Sequence, residues 1–208
     1  MILLEKSLSF LLYFSAHSVI LPLQKCNSAA PLGNYCLRFD RHSLPSHVFF
    51  LLISMKKILV IGATGQIGSE LTMKLRSIYG NDAVVCGYIK GAEPKGELLE
   101  SGPAAVCDVT DAACLDAVVK QYGIDAMFNL AALLSVVAEG KPQLAWKIGV
   151  DGLWNVLEVA RQNGCSVFTP SSIACFGPET PADNTPQDTI QRPRSIYGVT
   201  KVTTELLS

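Results

Sequence analysis

Histidine is scarce in this chain, and its distribution is uneven. Only three of the 208 residues are histidines, and all of them precede residue 55 (His17, His42 and His47). Residues 55–208 therefore cannot use histidine as a general acid or base. Most zinc sites also need imidazole ligands, so we expect no metal site in this stretch.

Basic runs and closely spaced cysteine pairs are also missing. The formal net charge is −1, and the sequence has no basic stripe of the kind that binds nucleic acid. None of the seven cysteines forms a CxxC pair, so we interpret them as small buried hydrophobes in a reducing compartment. A reactive thiol at Cys175, near the candidate site, is the less favoured alternative.

Residues 1–54 differ from the rest of the chain. Two apolar runs, 7–23 and 47–53, flank an irregular stretch. Three interpretations stay open for this segment: a secretory signal or membrane anchor, a mitochondrial presequence, or an extension outside a native fold that starts at Met55. We favour the extension, because Met55 directly precedes a complete βαβ pattern. The protein is accordingly expected in the cytoplasm or the mitochondrion, not in a membrane.

From Lys56 onward, short apolar runs alternate with stretches of helical periodicity. Five strands are predicted, at 57–61, 83–87, 104–107, 125–130 and 166–170. Helices are predicted at 66–79, 111–122 and 143–163, each followed by a glycine, and a last helix begins near Ser195. This alternation predicts an α/β fold, a doubly wound parallel sheet of Rossmann type over 55–208. Ligands of such sheets bind at the carboxyl ends of the strands.

The first predicted strand runs directly into a glycine-rich turn. Glycine recurs there at every third position, as Gly62, Gly65 and Gly68. The first permits a tight turn, the second a close approach to a pyrophosphate, and the third close packing of helix on sheet. N–H groups at the helix start, at Gln66 and Ile67, would face the phosphates. We predict dinucleotide binding; the alternative is a turn without a ligand.

The second predicted strand lacks the terminal acidic residue that often holds the adenosine ribose. It ends in Cys86-Gly87-Tyr88-Ile89-Lys90, where Tyr88 could pack against adenosine and Lys90 could favour a 2′-phosphate. NAD is the expected cofactor, and NADP is left open. Asp108 follows the third strand, where it could accept a hydrogen bond from the adenine amino group or simply start the turn before the next helix.

Tyr197 and Lys201 are four residues apart at the start of the last predicted helix, so they share one helix face. A lysine ammonium held beside a phenol stabilises the phenolate, which can then act as a general base toward an alcohol. The same lysine can hold the nicotinamide ribose. Ser172, 25 residues before Tyr197, could stabilise charge on a substrate oxygen, or it could be a plain turn serine.

Together these residues resemble the extended short-chain dehydrogenase/reductase family, the NAD-dependent epimerases and dehydratases. The resemblance covers 56–208. It is carried by the glycine turn, Asp108-Val109, Leu130-Ala131-Ala132, Ser171-Ser172 and the Tyr197/Lys201 pair. Three stretches, 131–135, 170–178 and 190–201, more closely resemble the short-chain type of L-threonine 3-dehydrogenase.

The resemblance implies an enzyme that oxidises L-threonine to 2-amino-3-ketobutyrate with NAD, on the way to glycine. Tyr197 would remove the hydroxyl proton, Ser172 would hold that oxygen, and Lys201 would bind the ribose. Ser135 would face the amino-acid end of the substrate, or would be an ordinary helix cap. Further cofactor contacts are implied at Val109, Leu130, Ala131 and Ala132, and relatives of this kind commonly form homodimers.

The sequence departs from the family at three places. Tyr88 replaces the acidic residue of the second strand, and Gly149 stands where the family usually has asparagine. The family also continues with a sixth strand and a small C-terminal substrate domain, so we expect a truncated chain with little or no turnover. A nucleotide-sugar epimerase or dehydratase and an inactive dinucleotide-binding module are the alternative functions.

Overall fold

The computed structural model describes residues 19–20, 57–186 and 188–208. Apart from the backbone of Val19–Ile20, the segment 1–54 lies outside the described residues. The three interpretations of that segment therefore stay predictions.

Five parallel strands form the body of the sheet, close to the five predicted positions. They are β2 (Ile58–Ile61), β3 (Val84–Tyr88), β4 (Ala104–Val106), β5 (Ala126–Asn129) and β6 (Ser166–Phe168). A two-residue strand, β1 (Val19–Ile20), pairs antiparallel with β6. The strand order is β1-β6-β5-β2-β3-β4, so the chain moves outward from β2 first in one direction and then in the other.

Seven α-helices and a π-helical turn connect the described strands. They are α1 (Gln66–Tyr79), α2 (Glu97–Glu100), α3 (Ala112–Tyr122), α4 (Ser135–Gly140), α5 (Pro142–Trp146), the π-turn Lys147–Asp151, α6 (Gly152–Asn163) and α7 (Ile196–Leu207). Two short 3₁₀ helices occupy Asn81–Ala83 and Ile173–Cys175. None of these is long and apolar enough to cross a membrane, as far as the described residues go.

The predicted helix signals hold, with two differences. Asp111 caps α3 through its carboxylate, which accepts the N–H groups of Ala113 and Cys114, and Gly123 ends it in the left-handed conformation. Gly80 ends α1 differently, at φ 96° and ψ 151°, outside the left-handed helical region. The predicted helix 143–163 is interrupted by the π-turn Lys147–Asp151, whose wider winding has no signature in apolar periodicity.

Both faces of the sheet are buried, as a doubly wound fold requires. Alternate residues of β2 point to opposite sides, so Leu59 and Ile61 join the core under α3 and α6. Ile58 and Val60 join the core under α1. The fold is therefore the expected α/β Rossmann type. Its order reverses between β2 and β5, and the loops that leave these two strands diverge and open a crevice.

Candidate functional site

A cleft opens at the carboxyl ends of β5 and β6, beside the point where the strand order reverses. Its walls are the loop after β5, the π-turn region and one face of α7. The lining residues are Asn129, Ala131, Ala132, Leu133, Ala145, Gly149, Thr169, Tyr197, Thr200, Lys201 and Thr204. The tyrosine and lysine predicted to carry the chemistry thus lie in one cleft.

The glycine turn borders this cleft on the β2 side. Gly62 adopts φ +79°, a conformation that residues with a Cβ rarely take. The N–H groups of Gly62 and Ala63 both donate to the carbonyl of Gly87, at 3.1 and 3.0 Å. The turn is therefore fastened to the end of β3, and its next residues lead into α1.

The loop after β5 lies against the same turn. A Cβ on Gly62 would come within 3.2 Å of the Leu130 carbonyl carbon and 3.3 Å of the Ala131 nitrogen. Leu130 N–H donates to the Ile61 carbonyl at 3.0 Å, which fixes the loop to β2. Three of the predicted cofactor contacts, Leu130, Ala131 and Ala132, therefore follow one strand, and the first two flank the glycine turn.

Asp108 and Val109 form a tight turn after β4. The Oδ1 atom of Asp108 accepts the N–H of Thr110 at 2.9 Å and its hydroxyl at 2.8 Å. Val109 is buried, and its carbonyl accepts the side-chain amide of Asn155 on α6 at 2.9 Å. Sequence reasoning missed Asn155, because a bond between residues 46 positions apart leaves no local pattern.

The start of α7 is capped twice, and this fixes Tyr197. Ser195 Oγ accepts the N–H of Gly198 at 3.0 Å, and the carboxylate of Glu139 on α4 accepts the N–H of Ile196 at 2.8 Å. The second cap was not predicted from sequence, because it comes from another helix. Two caps hold the first turn of α7 against the mouth of the cleft.

Lys201 is buried, at 8% exposure, one turn after Tyr197. Its Nζ donates to the carbonyl of Pro170 at 2.8 Å and lies 5.9 Å from the centre of the Tyr197 ring. Burial lowers the pKa of Lys201, and nearby Cys175 and Glu205 oppose that shift. The ammonium is thus held between the loop after β6 and the aromatic ring.

Ser172 and Ser135 are not among the residues that line the cleft. Ser172 Oγ accepts the N–H of Ala174 at 3.2 Å and caps the 3₁₀ helix Ile173–Cys175. Ser135 is exposed at the first position of α4, where Leu134, not Ser135, occupies the cap position. The cap alternative for Ser135 is therefore wrong, because the helix begins at Ser135 itself, one residue earlier than such a cap requires.

A polar cluster behind the cleft was not foreseen. Glu205, one turn beyond Lys201, accepts a hydrogen bond from Ser171 Oγ and a second from Gln191 Nε2 at 2.6 Å. The Sγ atom of Cys175 lies 3.3 Å from the same carboxylate. Burial raises the pKa of Cys175, which disfavours the thiolate and with it the reactive-thiol alternative.

Gly149 lies in the π-turn and faces α7. A Cβ there would come 3.2 Å from Thr200 Cβ, so this glycine lets the two helices approach closely. Nothing resembling a metal centre occurs nearby: the described residues contain no group of three His, Cys, Asp or Glu side chains that could hold an ion.

Comparison with known proteins decides the family. The model of the NAD dependent epimerase/dehydratase family matches residues 58–208. The chain belongs to this family. An uncharacterized epimerase/dehydratase of Staphylococcus saprophyticus is 53% identical over 153 residues, which are 74% of this chain and 48% of that protein.

Solved structures of an L-threonine dehydrogenase and of an epimerase have the same fold. L-threonine dehydrogenase of Clostridium difficile is 51% identical with a TM-score of 0.69, over 74% of this chain and 48% of that one. A UDP-glucose 4-epimerase is 28% identical with a TM-score of 0.64, over 73% and 46% respectively. The chain thus spans about half the length of the relatives it matches.

The glycine turn fits the NAD-type cofactor of this family. A Cβ on Gly68 would lie 2.2 Å from the Gly62 carbonyl oxygen, so packing alone demands glycine at that position. A Cβ on Gly65 would make only an ordinary contact, at 3.4 Å, and its φ of −74° suits any residue. Protein packing therefore does not explain Gly65, the position at which the sequence predicts a close approach of the pyrophosphate.

Proposed function

We propose that this chain forms the cofactor-binding half of an NAD-dependent dehydrogenase that oxidises L-threonine at its hydroxyl-bearing carbon. One observation carries the proposal: Tyr197 and Lys201 line a cleft that adjoins a glycine turn at the reversal of strand order. A general base and a place for a dinucleotide therefore lie side by side. The 51% identity to an L-threonine dehydrogenase supports the choice of substrate.

The glycine turn and the N-terminus of α1 would hold the pyrophosphate. No side chain caps α1, whose cap residue is Gly65, so the first N–H groups of the helix remain for phosphate oxygens. We assign Gln66 and Ile67 to this contact. The loop residues Leu130, Ala131 and Ala132 would border the cofactor on its other side.

Asp108 and Val109 would border the adenine. Both bonds from Thr110 go to Oδ1 of Asp108, and we assign the second carboxylate oxygen to the adenine amino group. Asn155 would hold the Val109 carbonyl and so keep the turn in place.

Tyr197 is the proposed general base, and its phenolate would take the proton of the substrate hydroxyl. Lys201 would stabilise that phenolate and bind the nicotinamide ribose. Bound NAD would supply the hydride acceptor. Ser172 accepts a hydrogen bond in the structure, so its own hydroxyl proton remains available for the substrate oxygen. Ser135 would meet the amino-acid end of threonine.

A nucleotide-sugar reaction is the second candidate, favoured by the 28% identity to UDP-glucose 4-epimerase. It would use the same base and the same dinucleotide site on a different substrate. The lower identity makes it the weaker proposal. A cofactor-binding module without catalysis is the third, favoured by Tyr88 in place of an acidic residue.

The substrate is tested by following reduced cofactor with L-threonine or UDP-glucose. The assay uses the 208-residue chain and, in parallel, the chain joined to the C-terminal half of the Clostridium difficile relative. We expect threonine turnover from the joined protein and cofactor binding with little turnover from the chain alone. Tyr197→Phe should abolish turnover and leave cofactor binding intact. A Tyr197→Phe variant that keeps most of its rate would remove the base from the proposal.

Self-association is a further part of the proposal. Leu144, Trp146 and Trp154 are 40%, 42% and 60% exposed along α5 and α6. Exposed large apolar side chains on these two helices favour a homodimer that pairs through α5 and α6. Sedimentation of the wild type and of Trp154→Lys tests it: a dimer that the substitution dissociates supports pairing, and a monomeric wild type refutes it.

A further inference from the structure

We propose that the adenosine end of this cofactor site accepts a 2′-phosphate, so that the chain binds NADPH at least as tightly as NADH, with Lys90 as the phosphate contact. The inference rests on the dinucleotide site of the proposed function and concerns the relative affinity of that site for NADPH and NADH. It stands on three observations around the carboxyl end of β3.

The first observation concerns Tyr88, the residue that follows Gly87 in β3. The Gly87 carbonyl accepts the N–H groups of Gly62 and Ala63, so Tyr88 is the next strand residue after the point where β3 holds the glycine turn. An acidic residue here would accept the two ribose hydroxyls of NAD and repel a 2′-phosphate. The half-buried Tyr88 has no carboxylate and therefore does neither. In this proposal its ring would pack against the adenosine.

The second observation concerns the nearby carboxylates, which are engaged elsewhere. Glu93 accepts the N–H of Gly91 through Oε1 at 2.8 Å. This bond, together with one to its own N–H, lowers the pKa of Glu93, and Lys95 adds to the effect. Oδ1 of Asp108 accepts two hydrogen bonds from Thr110. Neither carboxylate is placed at the end of β3 as the missing acid would be.

The third observation is the position of Lys90. The Ala92 N–H donates to the Ile89 carbonyl at 3.0 Å and closes a four-residue turn directly after β3. Gly91 supplies the positive φ, 89°, at the third position of this turn. Lys90 occupies the second, exposed position. Within the described part of the chain no ion pair involves Lys90, so its ammonium is available to a phosphate.

These features act in the same direction. Loss of the acid removes two hydrogen bonds to the NAD ribose and also the repulsion of a 2′-phosphate. A lysine at the corner of the turn adds a charge-assisted contact that only the phosphorylated cofactor can use. Discrimination in favour of NADH should therefore be absent.

The test is equilibrium titration of the 208-residue chain with NADPH and with NADH, followed by nicotinamide fluorescence. We expect NADPH to bind as tightly as NADH or more tightly. Lys90→Gln should weaken NADPH by about tenfold and change NADH by less than about twofold, because it removes one charged phosphate contact. Lys95→Gln is the matched control and should change neither affinity.

Two further variants make the outcome unambiguous. Tyr88→Asp should restore a preference for NADH of about tenfold or more, by adding ribose hydrogen bonds and repelling the phosphate. Glu93→Gln should leave NADH binding unchanged; a clear loss would identify Glu93 as the ribose acceptor and overturn the inference. A wild type that binds NADH about tenfold more tightly than NADPH would also overturn it. Binding of neither cofactor would instead refute the proposed dinucleotide site itself.

Discussion

Glu205 on α7 accepts a hydrogen bond from the hydroxyl of Ser171, the third residue after the end of β6. The other oxygen of the same carboxylate accepts the side-chain amide of Gln191 at 2.6 Å. Helix α7 carries Tyr197 and Lys201, and the loop after β6 carries Ser172. Glu205 therefore holds together the two segments that supply the proposed catalytic groups.

Replacing Glu205 should destabilise the fold. Glu205→Ala leaves the Ser171 hydroxyl and the Gln191 amide without their acceptor, at a cost of about 2 kcal/mol in the free energy of unfolding. Glu205→Gln keeps one acceptor oxygen and should lose less. Urea unfolding measures both. The control is Glu158→Ala on the surface of α6, which should leave the midpoint unchanged; an equal loss in the two alanine variants would contradict a special role for Glu205.

Gly65 and Gly68 should respond to alanine in opposite ways. Gly65→Ala meets only an ordinary contact at 3.4 Å, so the fold should keep its stability while cofactor binding is lost. Gly68→Ala places a methyl 2.2 Å from the Gly62 carbonyl oxygen, so the turn itself must shift and the melting temperature should fall. Thermal unfolding and cofactor titration on both variants separate the effects. Unimpaired binding by Gly65→Ala would argue against a pyrophosphate at this turn.

Sequence alone predicts the elements whose signals are local. Gly123 and Asp111 stop and start a helix through their own backbone and carboxylate, and the glycine turn has its strand and helix on either side. The i, i+4 spacing of Tyr197 and Lys201 likewise follows from helix geometry. For this reason the predicted sheet, its main helices and the neighbouring Tyr197 and Lys201 all appear in the structure at the expected places.

The contacts that were missed join distant parts of the chain. Glu139 caps α7 from α4, 57 residues away, and Asn155 holds the Val109 carbonyl across 46 residues. No periodicity or turn motif records such a partner, because it exists only after packing. Ser135 shows that a local signal can also mislead. Its residue type suggests a helix cap, but α4 begins at Ser135 itself.

Replacement of Arg76 should be among the most destabilising substitutions outside the cleft. It is 2% exposed, and among the described residues its guanidinium donates to neutral acceptors. These are the carbonyls of Val84, Leu98 and Pro103 and the hydroxyl of Ser101. Arg76→Met would leave several buried acceptors unpaired, and we expect a loss of about 3 kcal/mol or more in the free energy of unfolding.

A positive charge alone at position 76 should not preserve the stability of the fold. Arg76→Lys keeps a cation but lacks the planar fork that reaches several acceptors at once, so it should lose nearly as much stability. Arg161→Lys on the exposed face of α6 is the matched control and should unfold like the wild type. If Arg76→Lys were as stable as the wild type, the geometry of the guanidinium would not matter at this site.

Buried thiols should make the fold less stable at alkaline pH. Burial raises the pKa of Cys107 from 9.0 to about 12 and that of Cys165 to about 11. Above pH 9 the unfolded chain releases these protons while the folded chain retains them. Each thiol then lowers the free energy of unfolding by up to about 1.4 kcal/mol per pH unit. The stabilising effect is complete below pH 9 and is lost as the pH rises toward the folded value.

Cysteine variants isolate this effect, because they change the slope with pH and not merely the stability. Cys107→Ala should lower stability at neutral pH by about 1 kcal/mol for the lost packing. It should also remove the decline in the free energy of unfolding that the release of one thiol proton causes between about pH 9 and about pH 12. Cys165→Ala should remove a similar decline over the narrower range that ends at about pH 11. Urea unfolding at successive pH values measures both slopes, and parallel curves for the wild type and Cys107→Ala would show that this thiol is not protected by burial.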